Sequence, residues 1–193
     1  MELIFATGNI NKVKAINTMI PPASNIIVRP MSEIGFTEDI PETQDTLSGN
    51  AKQKSEYLYQ RISQNVFSED SGLEIKALNN EPGVKTARYA GDQKDPQANM
   101  DLVLQKLKDF EDRSAQFRAV LSLIIDGEEH QFEGSVKGKI AFEKRGDLGF
   151  GYDPIFIPDG FNYTFAQLPT EVKYGMSHRK RAFEKMIDFL LSL

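Results

Sequence analysis

A long stretch in the second half of the chain has apolar or small residues at every second position, with Gln116, Arg118 and Ser122 between them. Its apolar or small members are Ala115, Phe117, Ala119, Leu121, Leu123 and Ile125. Side chains of a strand point alternately to its two faces, so this period of two predicts a β-strand. Asp126-Gly127 follows as a tight-turn pair before the second stretch, Glu128 to Ile140. The pattern predicts a long two-stranded ribbon.

Apolar residues elsewhere recur at the three- and four-residue spacing of helices. This spacing predicts helices after Asn9, from Thr46 or Ser48 to about Ser63, from Asp95-Pro96 to about Phe110, and after Ser177. Short apolar runs predict strands at Leu3–Ala6, Ile26–Arg29, Asn65–Phe67, Leu73–Leu78 and Ile155-Phe156, whereas Pro82–Gly91 has no clear period and is predicted to be a loop.

Glu69 and Asp70 lie where one of these predicted strands ends and the next begins. Adjacent side chains of an extended chain point in opposite directions, so one acid can face a metal ion or water while the other faces another ligand. Gly72 would allow the backbone to come close to that ligand. A solvated acidic turn is the alternative. Glu42, in a loop rich in proline and acids, joins the candidates only as a partner in a metal site.

The segment Thr7-Gly8-Asn9-Ile10-Asn11-Lys12 joins the first strand to the first helix. Such a turn presents free backbone N–H groups at a helix N-terminus, and Lys12 adds a cation in the first turns. Both features suit a phosphate group. The segment lacks the spacing of a P-loop, so an ordinary capped helix start is the alternative.

Phe150-Gly151-Tyr152-Asp153 places two aromatic residues and an acid next to glycine. Aromatic rings can stack on a planar base, and a carboxylate can accept hydrogen bonds from its N–H groups. An aromatic corner of the core is the alternative.

The predicted final helix begins with four basic residues, His178-Arg179-Lys180-Arg181, and Lys173 shortly precedes it. Positive charge at a helix N-terminus opposes the helix dipole. The cluster therefore indicates an anionic or carbonyl-rich ligand, with a solvated basic turn as the alternative.

Composition narrows the classes of function. With 193 residues, 40% hydrophobic and 26% charged, the chain is long enough for one compact domain spanning 1–193. A net charge of −5 argues against a protein that coats nucleic acid. The chain has no cysteine, and His130 and His178 are its only histidines, which disfavours a zinc site. Without a signal-like leader or a long apolar run, we expect a cytoplasmic protein that does not enter a membrane.

Several of these motifs occur together, in order and at matching spacing: Thr7-Gly8-Asn9-x-x-Lys12, Glu42, Glu69-Asp70-Ser71-Gly72, Ala87-Arg88-Tyr89-Ala90-Gly91, Phe150-Gly151-Tyr152-Asp153-Pro154, Lys173 and Ser177-His178-Arg179. In this the chain resembles the inosine triphosphate pyrophosphatase (Ham1-like) family over almost its whole length. The resemblance implies a mixed α/β fold with a long twisted central sheet, flanked by helices in two lobes with the active-site cleft between them. It also implies a homodimer that cleaves deaminated purine nucleoside triphosphates (ITP, dITP, XTP) to the monophosphate and pyrophosphate.

The same resemblance implies roles for individual residues. Asp70 would be the proton acceptor and a metal ligand, with Glu42 and Glu69 as further acids around Mg²⁺, for which Mn²⁺ could substitute. Thr7, Gly8, Asn9, Ile10, Asn11 and Lys12 would hold the triphosphate, and Ser71 would contact the substrate. The base pocket would comprise Phe150, Gly151, Tyr152, Asp153, Lys173, His178 and Arg179.

Departures from the family pattern occur at Gln44, Leu47, Gly49 and Tyr174. The first three bear on the backbone near the metal site, and the fourth bears on contacts to the base. Two other functions remain open: a pyrophosphatase for modified pyrimidine nucleotides, and a nucleotide sensor without catalysis. The sequence does not rank ITP, dITP and XTP.

Overall fold

The computed structural model describes the whole chain, residues 1–193, apart from the side chain of Asn11. The α-helices are α1 (Ile10–Asn17), α2 (Leu47–Ile62), α3 (Pro96–Lys106), α4 (Thr170–Gly175) and α5 (His178–Leu191). The strands are β1 (Glu2–Phe5), β2 (Ile27–Pro30), β3 (Val66–Ile75), β4 (Glu81–Pro82), β5 (Ser114–Ile125), β6 (Glu128–Ile140) and β7 (Phe156–Pro158). No helix in the described part of the chain is long and apolar enough to cross a membrane.

All seven strands belong to one mixed sheet, in the order β2-β1-β3-β5-β6-β7, with β4 paired to β3 outside this path. Strand β1 runs parallel to both β2 and β3. Strand β4 is antiparallel to β3, and β7 is antiparallel to β6. The predicted mixed α/β fold is confirmed.

The predicted ribbon is present as β5 and β6. Asp126 (φ 51°) and Gly127 (φ 86°) connect them, both in the left-handed region that a two-residue hairpin turn requires. The predicted helices also form, and side chains define two of their starts: Thr46 Oγ1 accepts from Gly49 N at 3.0 Å, and Asp95 accepts from Gln97 N at 2.8 Å.

Two local predictions were wrong. The strand predicted to end before Glu69 continues without a break through Asp70 to Ile75. Polar residues can remain inside this strand because they have partners: Ser68 Oγ donates to the carbonyl of Ala51, and Glu69 contacts Lys12. The predicted loop after Pro82 contains a 3-10 helix, Gly83–Arg88.

The chain divides into two compact units. Unit 1 comprises Met1–Asp70, Ala119–Glu133 and Arg181–Leu193. At its core the Phe5 and Phe67 rings stack with centroids 4.3 Å apart, and Phe183 meets both edge-on at 6.2 Å. These buried rings support β1, β3 and the turns that follow them.

Unit 2 comprises Ser71–Arg118 and Gly134–Lys180. Its core contains Phe117, Phe156 and Phe165, with the Phe156 centroid 4.7 Å from Phe117 and 5.0 Å from Phe165. The chain passes from one unit to the other at four peptide bonds, one of which joins Asp70 to Ser71. That the chain works as a single domain, 1–193, remains a prediction.

Gly72 lies where β3 is covered by the 3-10 helix. A Cβ atom at Gly72 would stand 2.4 Å from the carbonyl oxygen of Gly83 and 2.8 Å from Thr86 Oγ1. Since the nearest atom belongs to backbone, we expect Gly72→Ala to lower the free energy of unfolding by about 1–3 kcal/mol. Denaturant unfolding measures this. Gly175→Ala is the control, because no atom lies within 4 Å of a Cβ placed there; equal stability of the two variants would contradict the prediction.

Candidate active site

In unit 1, a lysine joins two of the predicted acids. Lys54, on α2, places its Nζ 2.7 Å from Glu42 Oε1 and 3.1 Å from Asp70 Oδ1. The side chains of Lys54 and Asp70 are only 8% and 16% exposed, whereas Glu42 is 37% exposed. Glu42 and Asp70, which are distant in sequence, therefore share one buried cation.

Burial and charge act together on this group. Burial favours the neutral form of Lys54, but the charges and hydrogen bonds of Asp70 and Glu42 outweigh it and raise the pKa of the ammonium above its usual value. Burial is also the largest influence on Asp70, and together with the charge of Glu42 it raises the pKa of that carboxyl despite Lys54. A raised pKa makes the Asp70 carboxylate a stronger base than an exposed aspartate.

Glu69 has a different partner from Asp70. Its Oε2 lies 2.9 Å from Lys12 Nζ, and its side chain is fully buried. Glu69 and Asp70 are consecutive in β3, so their side chains leave the strand on opposite faces. Each acid contacts its own lysine.

The turn from β1 into α1 is held by contacts within itself. The backbone N–H of Asn9 donates to Thr7 Oγ1 at 3.1 Å, and that of Lys12 donates to the carbonyl of Asn9 at 3.0 Å. Nothing lies within 4 Å of a Cβ built on Gly8, and Ile10 is exposed. The side chain of Asn11 lies outside the described residues. The surface at Gly8 is therefore open to an incoming group.

In unit 2, Asp153 organises the segment that carries Phe150. Its Oδ2 accepts from Lys173 Nζ and, at 2.8 Å, from the backbone N–H of Phe150. Lys173 Nζ also lies 4.6 Å from the centroid of the Phe150 ring, which is 70% exposed. The adjacent Gly149 has a φ of +82°, and a Cβ there would strike Asp153. An exposed ring thus sits beside an ion pair whose acid is buried and whose lysine is partly exposed.

The two aromatic residues of this segment differ in their surroundings. Tyr152 is 4% exposed and belongs to the core of unit 2, and its hydroxyl donates to the carbonyl of Thr86 at 2.7 Å. Burial raises the pKa of this hydroxyl above its usual value, so the group stays protonated as a donor. Phe150 is therefore the ring that can stack on a ligand. The backbone between them bends at Gly151, whose φ is +63°.

The first turn of α5 supplies two further predicted residues. Arg179 Nη2 donates to Ser71 Oγ at 2.8 Å. The His178 ring stacks on Phe117, with centroids 5.3 Å apart and planes inclined by 16°. Ser177 Oγ accepts from the backbone N–H of Lys180 at 3.4 Å, as expected of a residue that caps this helix. Ser71 and Arg179 are thus brought together.

Comparison with known families decides the relationship of the chain. The Ham1 family model matches residues 3–189. The chain belongs to the Ham1 family. Its Ham1 relatives include a dITP/XTP pyrophosphatase of Flavobacterium psychrophilum, 47% identical over 189 residues that cover 98% of each chain. One of Bacillus subtilis is 45% identical over 192 residues, 98% of this chain and 96% of the relative.

Solved Ham1 structures share the fold. The Staphylococcus aureus Ham1 protein is 40% identical, covers 98% of both chains and superposes with a TM-score of 0.92. A HAM1 protein from Coxiella burnetii is 33% identical over the full length of both chains, with a TM-score of 0.94. The predicted family is confirmed.

Lys54 is the residue that the sequence patterns did not predict in this Ham1 chain. It follows Ala51 by three positions and precedes Leu58 by four, so it lies on the buried apolar stripe of α2. A charged residue on such a stripe needs partners, and this was the available signal. Asn50, one turn earlier, also hydrogen-bonds Asp70 and lowers the pKa of its carboxyl.

Two of the departures from the family pattern are in contact with each other. A Cβ at Gly49 would lie 2.9 Å from Cβ of Gln44, so the small residue leaves room for the larger one. The backbone N–H of Gln44 donates to Asn50 Oδ1 at 2.9 Å. The pair therefore fits together where this loop packs on the start of α2.

Proposed function

We propose that the chain is a nucleoside-triphosphate pyrophosphatase that hydrolyses deaminated purine nucleotides (ITP, dITP, XTP) to the monophosphate and pyrophosphate. The observation that carries the proposal is that Glu42 and Asp70 share the buried ammonium of Lys54, with both acids at the positions that the family resemblance assigns to chemistry. It occurs in a chain 45–47% identical to enzymes named dITP/XTP pyrophosphatase.

The acids fit a divalent cation in their chemistry. Carboxylate oxygens suit Mg²⁺ and Mn²⁺, and Mg²⁺ is commonly bound by one or two carboxylates together with water and substrate phosphates. Glu42 and Asp70 already share a cation, the ammonium of Lys54. No three Asp, Glu, His or Cys side chains within the described structure are grouped closely enough to hold a metal ion by themselves. We propose Asp70 and Glu42 as the principal ligands, with Glu69, which leaves β3 on the other face and pairs with Lys12, as a further acid of the proposed set.

When bound, the cation would neutralise charge on the phosphates and favour ionisation of water. Asp70 accepts a proton from the attacking water, whose oxygen bonds to the α-phosphorus as the bond to the bridging oxygen of pyrophosphate breaks. Lys12 and the backbone N–H groups of Gly8 and Ile10, at the start of α1, bind the negative charge of the departing pyrophosphate. An ammonium has three N–H donors, so Lys12 can contact Glu69 and a phosphate together.

We propose that the side chains of unit 2 read the base. Arg179, held by Ser71, has hydrogen-bond donors and no acceptor, so it suits the carbonyl at the purine 6-position of hypoxanthine or xanthine and not the amino group of adenine. Phe150 offers an exposed ring for stacking on any purine. His178 and the Asp153–Lys173 pair complete the proposed set.

The test is pyrophosphate release with Mg²⁺ from ITP, dITP, XTP, ATP, GTP and a modified pyrimidine triphosphate. We expect the three deaminated purines to be hydrolysed far faster than the others. Preference for the pyrimidine would support the first alternative function. Nucleotide binding without turnover would instead indicate a sensor and would overturn the proposal.

Activity should also depend on a divalent cation. We expect excess EDTA to abolish pyrophosphate release from ITP, and added Mg²⁺ or Mn²⁺ to restore it, because the proposed ligands are all carboxylates. The control is circular dichroism in EDTA, which should show the chain still folded. Undiminished turnover in EDTA would contradict the metal requirement.

Three further expectations, the first and third from the composition and sequence pattern and the second from the resemblance, are part of the proposal. The chain would work as one catalytic domain, form a homodimer and reside in the cytoplasm. Light scattering of the purified protein measures the oligomeric state.

A further inference from the structure

The proposed base-reading side chains of unit 2 form two sets. Arg179 bonds to Ser71 at the start of the unit 2 part of β3. Phe150, Asp153 and Lys173 form the other set around the ion pair. Ser71, on β3, and the segment 150–153 are distant in sequence, so the spacing between them depends on whatever ties β3 to that segment.

Thr86, in the 3-10 helix, makes that tie. Its Oγ1 accepts from the backbone N–H of Leu73 at 2.9 Å and donates to the carbonyl of Gly83 at 2.6 Å. Its own carbonyl accepts from the hydroxyl of Tyr152 at 2.7 Å. One residue therefore connects a point two residues after Ser71 to the residue just before Asp153.

Close packing restricts movement of the residues that make this connection. Gly72 lies against the Gly83 carbonyl and Thr86 Oγ1. Only glycine fits there, because a Cβ atom would clash with both. Tyr152 is almost fully buried. Asn99 fixes the far end of the 3-10 helix, since its Nδ2 donates to the carbonyl of Ala87 at 3.0 Å and its Oδ1 accepts from Ala90 N at 2.7 Å.

We propose that Thr86 is a positioning residue for base selectivity: through Leu73 and Tyr152 it fixes the distance between the Ser71–Arg179 set and the Phe150–Asp153–Lys173 set. This inference rests on the proposed function. Recognition of a carbonyl group depends on donors held at defined positions, and a misplacement of about 1 Å can cost about a hundredfold in rate. Stacking on Phe150 tolerates such shifts, so kcat/KM should fall more for the deaminated purine than for ATP.

The experiment compares four variants. Thr86→Val keeps the shape of the side chain and removes both hydrogen bonds of Oγ1, whereas Thr86→Ser keeps the hydroxyl. Tyr152→Phe removes the other hydrogen bond of the tie. Tyr89→Phe is the matched control, because Tyr89 OH donates to Glu81 and takes no part in the tie.

For each variant, kcat and KM are measured with ITP and with ATP, and Tm is measured separately. We expect Thr86→Val and Tyr152→Phe each to narrow the ITP-to-ATP ratio of kcat/KM by about tenfold or more. Thr86→Ser should retain most of the wild-type ratio, and Tyr89→Phe all of it.

If kcat/KM fell equally for ITP and ATP, in proportion to the decrease in Tm, the role of Thr86 would be purely structural. That result would overturn the inference. Should Thr86→Val fail to fold, Tyr152→Phe decides, since it removes a single hydroxyl. A wild-type protein without preference for ITP would overturn the proposed function and this inference with it. A wild-type preference that every variant retains would overturn this inference alone.

Discussion

Asp70→Asn is expected to lower kcat for ITP by about a hundredfold or more while leaving nucleotide binding largely intact. An amide cannot accept the proton that the raised-pKa carboxyl of Asp70 would take, and it is a poorer ligand for a cation. Lys54 would also lose one of its two anionic partners. Steady-state kinetics give kcat, and calorimetric titration with a non-hydrolysable triphosphate gives the affinity.

Asp188→Asn is the matched control, since it makes the same chemical change on the exposed face of α5. It should leave kcat unchanged. Near-normal turnover by Asp70→Asn would remove Asp70 from the catalytic role and leave the Glu42–Lys54–Asp70 group as a structural ion-pair network.

The second large effect is expected from Arg179→Ala. Sites that hydrogen-bond a substrate group can discriminate by up to about 10⁴-fold in kcat/KM, so this variant should lose most activity toward ITP and little of the residual activity toward ATP. Arg179 would meet the adenine amino group donor to donor, which is why its loss costs ATP little. Steady-state kinetics with both substrates measure how far the ITP-to-ATP ratio of kcat/KM falls.

Two comparison variants sharpen this result. Arg181→Ala removes the same charge from an exposed position two residues later and should preserve the ratio. Phe150→Ala should weaken the binding of both substrates by a similar amount, about 1–3 kcal/mol, because stacking on the ring is lost. If Arg179→Ala lowered kcat/KM equally for ITP and ATP, Arg179 would be a phosphate-binding or scaffold residue. Recognition of the base would then be assigned to His178, Asp153 or backbone groups.

Those parts of the fold that depend on nearby residues could be predicted from sequence. The β5–β6 hairpin follows from its period of two and from Asp126-Gly127, and α2 and α3 follow from their apolar spacing and from Thr46 and Asp95. The continuity of β3 could not be predicted, because a polar run looks like a turn until its partners are known. Those partners, Ala51 and Lys12, lie far away in sequence.

The candidate site shows the same limit. Family resemblance named Glu42 and Asp70, but neither residue predicts that a buried lysine joins them. Phe150 and Tyr152 are equivalent by residue type and spacing, yet one is exposed and the other is in the core. Burial and long-range pairing separate such residues, and a single sequence contains neither directly.

The shared contact of Lys54 with Glu42 and Asp70 also bears on how the protein is made in the cell. Two neighbouring carboxylates without a counter-charge would repel each other as the chain collapses around them, whereas an internal ammonium offsets most of that repulsion. Maturation can then proceed in two separate stages. A newly synthesised chain would reach its folded state with its own cation in place, and the divalent metal that we propose would enter afterwards, together with the nucleotide.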